Sequence, residues 1–217
     1  MTTLASDAIP LAATILSVIP VIAGRRGWHR RQLAERLLWR WLALGSAIAV
    51  AMAVQRANGG YNVSIAQMTF PLFGWLGLDA MGALSGSEPI RRSFRGLALC
   101  YLVWWAFWVV DPAWMRSGFA VQNGTMLWVM LSLGGIVLLS VRLRDADCQP
   151  WRDAIALTAI GVLVSHFPGA ALEIGWARIY TDSPEIARML SLPRAVLAMV
   201  GYLLFTVAFL LPAERAT

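Results

Sequence analysis

The sequence predicts an all-α membrane protein, a bundle of seven membrane-spanning helices with the N-terminus outside and the C-terminus in the cytoplasm. Composition is the first reason. Of 217 residues, 59% are hydrophobic and only 14% are charged, with a mean hydropathy of +0.63. A soluble domain is nearer half apolar and a quarter charged, and one of this length buries only about two-thirds of its surface. A soluble enzyme and a disordered chain are therefore excluded.

Apolar segments of spanning length are the second reason. A helix needs about 20 apolar residues to cross the hydrocarbon. The first segment is an uncleaved span rather than a secretory signal, because Asp7 precedes it and no basic residue does. The first and fourth need flanking residues to span, and the long sixth contains Pro168, which bends a helix. The seven segments form one transmembrane domain over 1–217: 8–24, 38–54, 63–84, 96–110, 122–141, 154–176 and 195–211.

The distribution of positive charge is the third reason, and it gives the orientation. The net charge is +6 and every one of the 18 basic residues is arginine. Most of them fall in the loops after the first, third and fifth spans, which lie on one face, and the positive-inside rule makes that face cytoplasmic. Arginines spread between spans do not indicate a nucleic-acid partner. We expect the densest group to lie at the membrane surface of a bacterial inner membrane, against anionic headgroups: Arg25, Arg26, Arg30 and Arg31.

The 11 tryptophans fit the same layout. Trp39 and Trp41 fall near a predicted span end, where amphipathic rings prefer the headgroup layer. Trp104, Trp105 and Trp128 fall within spans, where two interpretations are open. They pack against neighbouring helices and lipid, or they line a pocket for a pigment or a lipid.

The sixth span carries the main candidate for function, because an ionisable side chain within a membrane is costly. His166 and Glu173 are seven residues apart, which places them on one helix face, about 10 Å apart along the axis. Pro168 between them frees a carbonyl that water or a polar group then satisfies. This predicts a polar cavity for a proton or a small ligand. In the structural alternative, His166 bonds a nearby carbonyl and Glu173 reaches the outer headgroups.

Three further polar residues complete the candidates for a ligand or proton path. Asp79, near the cytoplasmic end of the third span, is either a proton-handling carboxylate or the partner of an arginine just beyond that span. Gln67 lies about 120° away from Asp79 around the helix, so the two form no single stripe. Asn123 marks the outer start of the fifth span. The arginines beyond the third span are Arg91, Arg92 and Arg95.

Several chemistries are excluded by residues that the chain lacks. Without lysine, no Schiff base forms with retinal or pyridoxal phosphate. His29 and His166 fall at different depths and provide no predicted zinc, diiron or two-histidine haem site. The sequence contains no nucleotide-binding fingerprint. We therefore predict neither a catalytic residue nor a metal, and an intramembrane serine enzyme at Ser85 and Ser87 is the weakest functional alternative.

Two local motifs and the overall layout resemble the microbial rhodopsin superfamily. Residues 69–72, Thr-Phe-Pro-Leu, are similar to the turn beneath that family's chromophore, and residues 165–168, Ser-His-Phe-Pro, are similar to its sixth-helix segment. The spacing from Pro71 to Pro168 and on to 200–202, Val-Gly-Tyr, is close to the family's. The resemblance implies a seven-helix fold with an outer N-terminus.

The chain departs from that family at the residues of its photochemistry. The retinal-binding lysine is replaced by Ala198 or Met199, so the resemblance implies a non-photochemical relative that binds, senses or assembles. The third-span Arg/Asp cluster and the seventh-span aspartate are also replaced, by Asn62, Ser64 and Ile65 and by Arg194 or Ala195.

The sequence leaves the function open between two classes. The first is a non-enzymatic, lysine-less binder or sensor of a small ligand, or a small transporter that uses the bent sixth helix. The second is an accessory subunit of a larger membrane complex, with or without pigment. Small residues at four-residue spacing also allow a homo-oligomer. No motif specifies a cofactor.

Overall fold

The computed structural model describes residues 3–26, 32–58, 63–109, 119–182 and 184–211. These residues are all-helical, as the sequence predicts, and the chain is an integral membrane protein by the length and apolarity of its helices. Among the described residues, five helices are long and apolar enough to cross a membrane, in the segments Ala8–Arg25, Leu33–Ala57, Gln122–Arg142, Ala154–Leu172 and Leu192–Leu210. The seven helices of these described ranges are α1 (Thr3–Arg25), α2 (Leu33–Ala57), α3 (Val63–Leu84), α4 (Glu88–Val109), α5 (Phe119–Arg142), α6 (Ala154–Asp182) and α7 (Pro184–Leu210).

Several helices extend beyond the predicted spans. Helix α4 begins eight residues before its predicted span, and α7 begins eleven residues before its own. Pro89 and Pro184 fit the first turns of these helices, where a backbone N–H has no helical acceptor. Pro168 and Pro193 lie inside α6 and α7, as membrane helices tolerate when neighbouring groups satisfy the freed carbonyls.

Helix packing follows a closed circuit. Helix α1 contacts α2 and α7, α3 contacts α2 and α5, and α6 contacts α5 and α7, while α4 packs mainly on α3. Polar side chains join α1 to α2 within this circuit. Trp39 Nε1 donates to the Val21 carbonyl at 2.8 Å, and the Ser17 and Ser46 hydroxyls are 3.1 Å apart.

Helices α6 and α7 approach each other closely at two glycines. A Cβ at Gly201 would lie 2.9 Å from the Gly161 carbonyl oxygen and 2.8 Å from Ser165 Cβ, and a Cβ at Gly161 would lie 3.3 Å from the Gly201 carbonyl oxygen. Small residues permit this backbone approach, which gains van der Waals contact where lipid gives no hydrophobic driving force.

The indole of Trp41 lies in the core of the structure and is 0% exposed. Trp41 is therefore packed between helices, and its depth in the membrane stays a prediction. Its ring contacts Phe73 of α3 and Phe205 of α7, with centroids 5.3 and 6.0 Å apart. Gly77 makes room for the indole, because a Cβ there would lie only 2.8 Å from Trp41 Nε1.

Candidate functional site

His166 lies among aromatic rings from three other helices. Its ring centroid is 5.0 Å from that of Trp128 on α5, with the planes only 14° apart. The rings of Trp41 on α2 and Phe73 on α3 lie 5.6 and 6.2 Å away, both edge-on. We call these four residues the His166 cluster. It joins four helices at one point.

The imidazole has an unsatisfied polar atom. His166 Nε2 is buried and has no hydrogen-bond partner among the described residues. An unsatisfied buried polar group costs about 1–3 kcal/mol, and native proteins contain few of them. The indole Nε1 of Trp41, in the same cluster, is also buried without a partner in the described part of the chain. The cluster therefore contains two buried nitrogen atoms, one of His166 and one of Trp41, that no described protein group satisfies.

The surroundings of His166 differ from those that the sequence predicts. Glu173 lies in α6, but its side chain is outside those that the structure describes. Pro168 lies two residues after His166, within the same helix. The sequence predicts a polar cavity around His166, but the side chains that contact its ring are aromatic. The site is therefore mainly apolar, and its polar atoms include the buried nitrogens His166 Nε2 and Trp41 Nε1.

Arg194 is a neighbour of this cluster that the sequence reasoning missed. Its guanidinium carbon lies 5.6 Å from the centre of the Trp128 ring, and the His166 imidazole stacks on that same ring. One feature of the sequence could have identified Arg194 as a candidate: its charge lies two residues inside the apolar segment Leu192–Leu210. The family resemblance indicates Arg194 only as a replacement for an acidic residue, and the charge distribution places it on the outer face.

A second polar site joins three helices and includes two of the predicted residues. Asn123 Nδ2 donates to Gln67 Oε1, and the Tyr101 hydroxyl donates to Asn123 Oδ1. All three side chains are buried. Trp105 Nε1 also donates to the Gln67 backbone carbonyl, at 3.0 Å. Hence Asn123 is part of an interhelical network that fixes α3, α4 and α5 together.

Replacing Asn123 with leucine is expected to destabilise the protein. The change leaves Gln67 Oε1 and the Tyr101 hydroxyl without their shared partner, and interhelical hydrogen bonds in membranes are worth about 0.6–2 kcal/mol each. Unfolding in increasing sodium dodecyl sulfate should show a loss of about 1–3 kcal/mol. The matched control is Gln122→Leu, since Gln122 is the exposed neighbour. Equal stability of the two variants would contradict a structural role for the network.

Asp79 is paired with two arginines of α4. Its Oδ1 lies 2.7 Å from Arg95 Nε and 3.1 Å from Arg91 Nε. Arg92 instead pairs with Glu88, at 3.1 Å. The pairing with arginines beyond the third span, which the structural alternative predicts, is present at Arg91 and Arg95. Asp79 is thus the acceptor of a charged cluster that joins α3 to α4.

The loop between α5 and α6 contains a further charged cluster. Arg142 Nε contacts Asp153 Oδ2, and Asp153 Oδ1 also accepts the Ala156 backbone N–H at 2.8 Å, which caps α6. Burial, and next the negative charge of Asp153, raise the pKa of the Cys148 thiol. Since the thiolate is the reactive form, Cys148 is a poor nucleophile at neutral pH.

A cavity of about 230 Å³ opens beside this cluster. Its lining comes from the start of α2, the end of α3, the start of α6 and the end of α7. Its polar side chains are Gln32, Glu35, Asp153 and Thr158, and Leu38 and Phe209 belong to its apolar wall. Helix ends that are distant in sequence therefore meet around this cavity.

The predicted membrane-surface arginines are described in part. Arg25 and Arg26 are exposed at the end of α1, whereas Arg30 and Arg31 lie outside the described residues. In the described part of the chain, no three His, Cys, Asp or Glu side chains are grouped to hold a metal ion.

The structure brings together Gln67 and Asn123, but it places Asp79 and His166 in two other, separate clusters. The polar candidates therefore do not form one continuous path through the described side chains. No protein-family model matches the chain, and no curated protein or solved structure matches it.

Proposed function

We propose that the chain is a non-enzymatic membrane protein that binds a small, largely apolar ligand at the His166 cluster, as a binder or sensor of rhodopsin-like shape without photochemistry. One observation carries this proposal. His166 Nε2 is buried without a hydrogen-bond partner among the described residues, and aromatic rings from three helices surround the imidazole.

The chemistry of the cluster favours an apolar ligand with one polar group. Ligand pockets are lined mainly by apolar and aromatic side chains, with a few polar atoms that fix orientation. A hydroxyl or carboxyl group of the ligand would satisfy His166 Nε2, and its apolar part would contact the rings of Trp128 and Phe73. A transporter with a polar path has less support, because the described polar candidates lie in separate clusters.

The proposal includes seven spans with the N-terminus outside and the C-terminus in the cytoplasm. Helices α3 and α4 are not among the five described helices with an apolar segment of spanning length, but the charge of Asp79 is offset by Arg91 and Arg95. The cavity near Asp153 supports the alternating direction of the helices, since it collects the starts of α2 and α6 with the ends of α3 and α7. Arg142 lies near that cavity, on the face that the positive-inside rule makes cytoplasmic.

Replacing His166 with phenylalanine separates ligand binding from packing. The ring remains while the unsatisfied nitrogen is lost, so the unliganded variant should be more stable by about 1–3 kcal/mol. It should also bind a ligand about tenfold or more weakly, because the ligand's polar group loses its partner. The probe is a long-chain alcohol brominated in mid-chain, which quenches tryptophan emission on contact. Stability is measured by thermal unfolding in detergent.

The matched control is Phe167→Leu. Phe167 is the exposed neighbour of His166 on the same helix, so this variant should keep the wild-type stability and the wild-type saturable quenching. A His166→Phe variant that binds the probe normally would make His166 a packing residue. Quenching that never saturates in the wild type would also overturn the proposal, since it reports only partition into the micelle.

A further inference from the structure

We infer that the ligand of the His166 cluster is an amphiphile with a carboxylate headgroup, and that the headgroup lies between Arg194 and His166. The inference rests on the proposed function and names its ligand class. It depends on where Arg194 lies, on what a guanidinium donates, and on the rings beside it.

Arg194 combines a charge with a position just inside an apolar segment. It is the third residue of the segment Leu192–Leu210, which is long and apolar enough to cross a membrane, and it is half-buried. An arginine within a span is costly and marks a ligand or ion pathway by default. With the proposed orientation, this depth is just below the outer headgroups, where the carboxylate of a membrane amphiphile also lies.

The donors of Arg194 suit a carboxylate. A guanidinium has five N–H donors, so it holds a bidentate carboxylate in addition to protein contacts, and such charge-assisted pairs are about twice as strong as neutral hydrogen bonds. The His166 imidazole stacks on the Trp128 ring with centroids 5.0 Å apart, and the Arg194 guanidinium carbon lies 5.6 Å from the centre of the same ring. A headgroup beside the Trp128 indole therefore has both side chains as neighbours. When Nε2 carries the imidazole proton, it donates to the same carboxylate.

An apolar surface for the chain of the amphiphile begins beside the guanidinium. The Trp128 ring lies 5.6 Å from the Arg194 guanidinium carbon, and it also contacts Phe70 and Phe73, at 5.5 and 6.4 Å between centroids. Gly169 keeps the facing wall of α6 free of a side chain, since a Cβ there would lie 3.4 Å from Arg194 Nη2. A headgroup at Arg194 therefore leads directly onto aromatic rings.

The inference is tested with two brominated probes of the same chain length, a carboxylic acid and the corresponding alcohol. Both are titrated into the full-length protein in lipid nanodiscs at neutral pH, and the saturable quenching of tryptophan emission gives their affinities. We expect the acid to bind about tenfold or more tightly than the alcohol in the wild type, as charged hydrogen bonds imply. Arg194→Gln should remove that preference and Arg194→Lys should retain part of it.

The control variant is Arg56→Gln, which removes another positive charge at an exposed site in the last turn of α2. It should leave the preference for the acid unchanged. Acetate serves as a competitor. Displacement of the acid by acetate at similar concentrations would show a site for any small anion and would overturn the inference that the ligand is an amphiphile.

The outcomes separate this inference from the proposed function. If both probes bind saturably with equal affinity, the cluster binds apolar ligands and the carboxylate inference is wrong. If neither probe binds saturably, the proposed function itself fails. Thermal unfolding shows whether the Arg194→Gln variant folds. If it does not fold, the comparison of the acid with the alcohol in the wild type tests the carboxylate inference by itself.

Discussion

Adding one methyl group at Gly201 is expected to destabilise the protein strongly. In Gly201→Ala, the new Cβ would lie 2.9 Å from the Gly161 carbonyl oxygen and 2.8 Å from Ser165 Cβ. The Ser165 hydroxyl already donates to that carbonyl at 2.6 Å, so neither neighbour moves unless α6 and α7 separate. Overpacking of this kind costs about 1–3 kcal/mol and occasionally more. Thermal unfolding in detergent should show the upper part of that range.

Gly96→Ala is the matched control, because no atom lies within 4 Å of a Cβ built at Gly96 in α4. The same methyl addition there should leave the stability unchanged or raise it by up to about 1 kcal/mol, since alanine favours a helix more than glycine does. Equal losses in the two variants would show that the contact between α6 and α7 is not the cause.

The sequence was sufficient for the features that depend on local composition. Apolar segments of spanning length predict helices directly, because a backbone in lipid must satisfy its own hydrogen bonds. The pairing of Asp79 could also be predicted, since α4 follows α3 after a short turn and the arginines of α4 begin twelve residues after Asp79. Positions along the chain were thus enough to predict both the helices and the pairing of Asp79.

The His166 cluster could not be predicted from the sequence in the same way. Trp41, Trp128 and His166 are far apart in sequence and meet only through the lateral order of α2, α5 and α6, which helical periodicity does not encode. A tryptophan near a span end favours the headgroup layer on average, but Gly77 on a neighbouring helix makes room for Trp41 in the interior. Sequence patterns could not relate those two positions.

Neutralising Asp79 decides between its two predicted roles. Asp79→Asn leaves the charges of Arg91 and Arg95 without their shared acceptor, and breaking a buried ion pair costs about 3–5 kcal/mol. The arginine side chains are 20% and 42% exposed, so water offsets part of this cost and about 2 kcal/mol is expected. The loss is measured as the shift in the unfolding transition in sodium dodecyl sulfate.

Glu88→Gln provides the comparison for that shift. It breaks the ion pair with Arg92, whose two side chains are 78% and 53% exposed, and exposed pairs of this type contribute at most about 0.5 kcal/mol. A structural Asp79 also couples to its partner, so Asp79→Asn and Arg95→Gln together should cost less than the sum of the two single changes. A proton-handling carboxylate gives the opposite pattern. Its neutral variant would remain as stable as the wild type, and the costs of the two changes would add.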